Sequence, residues 1–197
     1  MLEGPEVEPH HRHTGHSRID LIFGCLAVVL SGVSVFIAIE HGRTMERLVA
    51  ANTWPNLSYG TSNENDAGTL EQIIFELKNT GVGPARIDTM ELFYKGKPMA
   101  SPKDLLLACC GRGMYNFATS TVIHEVLPAR EKIDFISLRK DSNRPETWTT
   151  LNAERFSVRI RACYCSVFDE CWVEDSATPR PSRVAQCTPS QAVQFTE

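Results

Sequence analysis

Apolar residues follow two regimes along this chain: one uninterrupted run near its beginning and, from about residue 57, short alternating stretches broken by turn residues. The run LIFGCLAVVLSGVSVFIAI occupies residues 21–39, opening on Leu21 and closing on Ile39, with Asp20 and Glu40 as its flanking charges. These nineteen uncharged residues make a helix about 28 Å long, close to the hydrocarbon thickness of a bilayer. Twelve of them are Leu, Ile, Val or Phe, each favouring insertion by about 0.3–0.6 kcal/mol, which outweighs the reluctance of Gly24, Ser31, Gly32 and Ser34. The pattern predicts one transmembrane helix whose partner is the lipid bilayer. A cleaved signal peptide would have an apolar region of about 7–15 residues closely followed by small residues. Here the nearest such site, after Val49, Ala50 and Ala51, lies well beyond the run. Residues 40–53 read instead as a helical stalk that continues until Asn52 and Pro55 stop it.

Downstream, Ile73, Phe75 and Leu77 recur at the two-residue spacing of a half-buried strand. Comparable signals predict strands at residues 57–59, 70–79, 85–94, 120–126, 132–138, 155–164 and 167–173. Polar TSNENDAG joins the first two, and LPARE and KDSNRPE are connections. In NTGVGPARI, Asn79, Gly81 and Gly83 are expected to supply backbone angles that other residues resist, with Pro84 favouring an extended exit. Lys95 to Pro98 reads as a turn, and residues 102–107 as a short helix ending at Cys109, Cys110 and Gly111. About seven short strands separated by turns predict an all-β soluble domain over residues 54–197, an antiparallel, immunoglobulin-like sandwich. Its irregular C-terminal arm, from Asp175 onward, is expected to return through residues 192–195 as an edge strand. Residues 1–20 combine Glu3, Glu6 and Glu8 with HHRHTGH; they bury too little to offset chain entropy and read as a disordered tail.

A net charge of -4 offers no basic footprint for nucleic acid, which is excluded as a partner. Charge does not orient the helix: Arg12 and Arg18 precede it, Arg43 and Arg47 follow it, and the positive-inside rule ends in a tie. Cysteine breaks the tie. Six of seven, Cys109, Cys110, Cys163, Cys165, Cys171 and Cys187, lie in the C-terminal domain, and an even set suits disulfides in an oxidising compartment. The expected orientation is N-terminus cytoplasmic, domain extracytoplasmic.

The anchor, the NTGVGPARI turn, VLPARE and above all CYCSVFDECW resemble a group of uncharacterised bacterial single-pass membrane-anchored proteins with a C-terminal β-sandwich-like domain. The resemblance covers most of the chain after the tail. It implies the same architecture and a place in the inner membrane with a periplasmic domain, and it brings no catalytic residues.

Cys163 and Cys165 share one face of a strand, and Cys171 returns across a turn around Phe168 and Asp169. Read structurally, Cys165 pairs with Cys171, leaving Cys163 for Cys187 or for one of Cys109 and Cys110, within fifteen possible connectivities. The sharper alternative is a thiolate metal site or redox centre of Cys163, Cys165 and Cys171, because soft sulfurs suit zinc or copper(I). Against it, no CxxC occurs, and adjacent Cys109 and Cys110 point apart on a strand unless a turn or helix end rearranges them. Cys25 is an apolar filler of the anchor. His10, His11, His13 and His16 belong to the flexible tail, with transient metal binding as their alternative. His124 and Glu125 lack the second histidine of HExxH, and no GxSxG occurs. No enzyme activity and no cofactor are expected, a Cys–His site at His124 being the remaining catalytic alternative. Trp54, Trp148 and Trp172 read as core or rim aromatics. The leading expectation is a membrane-tethered, non-enzymatic binding or accessory protein of the envelope, making contact through a sheet edge or the cysteine hairpin. Its rival is an extracytoplasmic metal-binding or thiol-redox protein.

Overall fold

The structure, a computed structural model, describes residues 18–64 and 71–188 together with Val193 and Phe195. The expected tail up to residue 17, with its four histidines, and half of the expected strand at 192–195 lie outside the described residues. The chain divides into two compact units, Met1–Leu48 and Val49–Glu197.

Helix α1, Arg18–Asn52, is continuous over 35 residues and is long and apolar enough to cross a membrane. It takes in the last three residues of the expected tail and runs unbroken through the expected span and along the expected stalk as far as Asn52. Ser31 Oγ donates to the Ala27 carbonyl and Ser34 Oγ to the Leu30 carbonyl, so neither hydroxyl requires a partner outside the helix.

The second unit is built mainly of antiparallel strands. One sheet joins β1 (Leu57–Ser62), β2 (Gln72–Asn79), β7 (Lys132–Arg139) and β5 (Ala118–Thr119), in the order β1-β2-β7-β5. The other joins β10 (Ser182–Val184), β9 (Cys171–Asp175), β8 (Val158–Cys165), β3 (Ala85–Tyr94) and β4 (Lys97–Met99) in that order, with β6 (Val126–Leu127) also pairing β3. The arrangement is sandwich-like. Ile73, Phe75 and Leu77 of β2 share one buried core with Ile87, Met90 and Leu92 of β3 and with Ile160, Ala162 and Tyr164 of β8. A bulge in β7 opposite Phe75 and Glu76 admits an extra residue, so consecutive Phe135 and Ile136 are both buried. Phe195 completes the core: its amide donates to the Met90 carbonyl at 3.0 Å and its ring meets Phe135 edge-on.

Two helices accompany the strands, α2 where a short helix was expected and α3 where a connection was. In α2 (Pro102–Cys110), Ser101 caps the N-terminus, accepting from the Asp104 amide, and Pro102 occupies the first turn, where no N–H is needed. The segment from Pro145 is helical too. Pro145 opens α3 (Pro145–Glu154), and Trp148 and Leu151, three residues apart on one helical face, are buried in the core. Residues 155–157, expected in a strand, form a 3-10 turn before β8. Of the expected strand at 120–126, only Val126 lies in a strand, β6; residues 120–125 connect the two-residue strands β5 and β6, with Val122 buried among them. The expected strand at 167–173 divides into a turn and β9, and Lys97 to Met99 continue from their turn into β4.

The NTGVG corner has a different cause from the one expected. Neither Gly81 nor Gly83 has a positive φ; both make room. A Cβ on Gly81 would lie 2.5 Å from the Trp54 carbonyl oxygen, and one on Gly83 would collide with the Thr53 carbonyl. The reason for this close approach is Asn79, the last residue of β2, which is fully buried. Its Nδ2 donates to the Gly83 and Leu127 carbonyls, and its Oδ1 accepts from the Asn56 and Gly81 amides. One side chain thus satisfies four backbone groups where three connections converge.

Candidate functional site

Alternation along β8 gives the second sheet two unlike faces. Val158, Ile160, Ala162 and Tyr164 point into the core, while Arg159, Arg161, Cys163 and Cys165 occupy the outer face. Pairing sets their neighbours: Arg161 stands between Glu91 and Asp175, Cys163 between Thr89 and Val173, and Cys165 between Arg86 and Cys171.

The chain reverses tightly after β8. The Ser166 amide donates to the Glu170 carbonyl, the Asp169 amide to the Ser166 carbonyl, and Asp169 takes φ 57°, a conformation that Asp tolerates better than most residues. This turn returns Cys171 opposite Cys165, and their sulfurs lie 2.07 Å apart, at disulfide distance. The arm then adds β10, with Val184 opposite Cys171, and carries Cys187 across the outer face to Cys163, sulfur to sulfur 2.00 Å. Of the partners left open for Cys163, the structure assigns Cys187.

The two pairs also touch each other. Cys165 Sγ is 3.7 Å from Cys187 Sγ, and the sulfurs of Cys165, Cys171 and Cys187 all lie within 4.8 Å of one another. The compact trio therefore contains Cys187 in place of Cys163, which the sequence grouped with Cys165 and Cys171. Cys163, Cys165 and Cys171 are buried, and Cys187 is half-buried. Sulfurs paired in this way are not thiolates, the form that binds zinc or copper(I), so metal could enter only after reduction. Beside them, Asp88 Oδ2 lies 3.4 Å from Cys165 Sγ. Arg86 donates to both Asp88 and Asp169, hydrogen bonds that hold its guanidinium even more firmly protonated than usual.

Next to Cys163, the arm and sheet enclose a cavity of about 120 Å³ lined by Thr89, Glu91, Arg161, Val173 and Gln186 among others. The Glu91 side chain is only 5% exposed; its Oε2 lies 3.7 Å from Arg161 Nη1, and its Oε1 has no hydrogen-bond partner. Sequence reasoning missed this pair, because two charges far apart in the chain become neighbours only through strand register.

The other candidates are dispersed. Cys109 and Cys110 end α2 with their sulfurs 1.98 Å apart; a helix end, rather than a strand, lets adjacent sulfurs meet. His124 is exposed, with φ 68°, its amide donating to the Ile87 carbonyl at 2.7 Å. Among the described residues, the unpaired cysteine is Cys25, in α1. Trp148 is buried, Trp172 stacks on Tyr164, and Trp54 is exposed beside the Val82 turn. Compared with known proteins, the chain matches no family model and no curated protein.

Proposed function

We propose that this chain is a membrane-anchored, non-enzymatic binding or accessory protein of a bacterial envelope. In this reading α1 spans the inner membrane with its N-terminus in the cytoplasm, and the sandwich presents a binding surface in the periplasm. The observation that carries the reading is the tip of the cysteine hairpin: Val167 and Phe168 are 58% and 52% exposed on a turn closed by Cys165 and Cys171. A turn fixed before binding loses less conformational entropy when it docks. Apolar side chains rimmed by Asp169 and Glu170 also suit the centre of a protein contact. Arg86 and Arg183 pair with those two acids from either side of the turn. The set of cysteines at disulfide distance supports an oxidising location for the domain. An immunoglobulin-like shape is part of the same proposal, supported by two antiparallel sheets facing a shared core.

A photo-crosslinking amino acid at Phe168, in cells expressing the full chain, tests the contact. The expected result is a discrete protein adduct that Val167→Asp weakens several-fold and that the same label at Thr178 does not give. No adduct, or an equal one at Thr178, overturns the reading. Alkaline phosphatase fused after the sandwich, active only when exported, tests the orientation separately.

The second reading, a metal-binding or thiol-redox protein, draws support from the 3.7 Å approach of Cys165 and Cys187. Stoichiometric metal, or four or more free thiols in gently extracted, thiol-blocked protein, would favour it.

A further inference from the structure

We propose that Cys163, Cys165, Cys171 and Cys187 form one thiol–disulfide exchange unit in which Cys165 changes partner from Cys171 to Cys187 when an external dithiol delivers two electrons. The inference is independent of the hairpin contact. It rests on three observations: the two pairs share a face, Cys165 and Cys187 sulfurs are 3.7 Å apart without being bonded, and Cys187 is the most open of the four.

Exchange proceeds by thiolate attack on a disulfide sulfur. A thiolate of the dithiol attacks Cys187 Sγ, breaks the Cys163–Cys187 bond, and Cys163 leaves with the electron pair and takes up a proton. The second thiol of the reductant, deprotonated, attacks its own sulfur in the mixed disulfide and releases Cys187 as a thiolate. The dithiol is now a disulfide, and the protein has gained two electrons. The Cys187 thiolate then attacks Cys165, forms Cys165–Cys187 and expels Cys171, which takes up the proton that the second thiol of the reductant released. This last step is redox-neutral.

Asp88 sets the direction. Its carboxylate, 3.4 Å from Cys165 Sγ, disfavours negative charge on that sulfur, so Cys165 remains bonded in both pairings while Cys163 and Cys171 become the thiols. The arm thereby shifts its attachment by two residues along β8, about 7 Å. The staple at the base of the Val167–Phe168 turn opens, and the cavity beside Cys163 loses one wall.

The test uses full-length protein in detergent with one equivalent of dithiothreitol, acid-quenched and alkylated, then mapped without reduction after chymotryptic cleavage at Tyr164. The expected two-electron product carries a Cys165–Cys187 link with Cys163 and Cys171 alkylated, several-fold more abundant than in 6 M guanidinium chloride (roughly the concentration that unfolds even hyperstable domains). Molecules that keep Cys165–Cys171 with Cys163 and Cys187 alkylated, or keep Cys163–Cys187, overturn the proposal, as does equal abundance in denaturant. Cys163→Ser gives a second reading with no reductant at all. Its free thiol is expected to divide between Cys187 and Cys171, and alkylation confined to Cys187 counts against the exchange.

Discussion

The corner around Asn79 and the outer face around Cys165 do the same mechanical work by different chemistry. Each fastens a connecting segment to the sandwich, the first the entry from Thr53 to Asn56, the second the arm from Ser182 to Cys187. The first relies on four hydrogen bonds from one buried amide and on glycines thin enough to let backbones touch. The second relies on two sulfur pairs. A corner held by hydrogen bonds is indifferent to redox conditions, whereas one held by sulfur is strong only while oxidised. The domain therefore has one permanent fastening and one conditional one.

The sharpest way to break this contrast is at the permanent corner. Gly83→Ala places a methyl against the Thr53 backbone, with no flexible side chain to yield, and should cost about 4 kcal/mol or more, as other severe backbone clashes do. Urea melts should show this loss equally with and without reductant. Replacing both Cys163 and Cys187 by Ser removes a link across a sequence separation of 24, an expected loss of about 3.5 kcal/mol in a chain-entropy treatment. Reductant should bring wild-type protein to the same stability or below it, and should change this variant less. Because the Cys165–Cys171 loop, with a separation of 6, is nested inside the larger one, losing both should cost less than the sum of about 3.5 and about 2.4 kcal/mol.

Smaller effects sharpen the comparison. Cys109 and Cys110 are adjacent, so their bond closes almost no loop, and a Cys109→Ser, Cys110→Ser double variant should lose no more than about 1 kcal/mol by thermal melting. The smallest effect concerns Asp175, whose carboxyl is held below its usual range chiefly by hydrogen bonds from Arg159. A depressed folded pKa gives stability that is present above the unfolded value and is lost as pH falls through the folded one. Asp175→Asn should therefore be less stable than wild type by about 0.2–1 kcal/mol near neutral pH. The gap should begin to shrink as pH falls below the unfolded carboxyl's value, about 3.9, and close only as pH falls through the lower folded one.

How much of this was legible in the sequence depended on the range of the interaction. The long apolar run announced a helix through local composition, and Ile73, Phe75 and Leu77 announced β2 through their period. Helix α3 was hidden: PETWTTLNAE carries Thr, Trp and Asn, weak helix formers, and only burial of Trp148 and Leu151 against the sheets makes it helical. Gly81 and Gly83 were visible as special positions, but not the reason, because the segment they accommodate lies more than twenty residues earlier. The hairpin brings Cys165 near Cys171 by local geometry alone. The approach of Cys187 to Cys165, and the burial of Glu91 beside Arg161, depended on the path of the arm and on register, neither of which is encoded within a short window.

The lengths of the outermost strands bear on how this domain behaves at high concentration. β4, β5 and β10 extend for three, two and three residues, too short to offer another chain a continuous ladder of free amides and carbonyls. The longer flank is β1, where Ser58 and Thr61 turn their hydroxyls back onto the carbonyls of Lys78 and Ile74. Sheet-to-sheet growth, the usual route from a β-rich domain to insoluble aggregate, is thus blunted along β4, β5 and β10 themselves by brevity, although β5 pairs β7 only at Ser137 and Ile136. At high concentration β1, the longest of the outermost strands, should be the flank at which self-association begins.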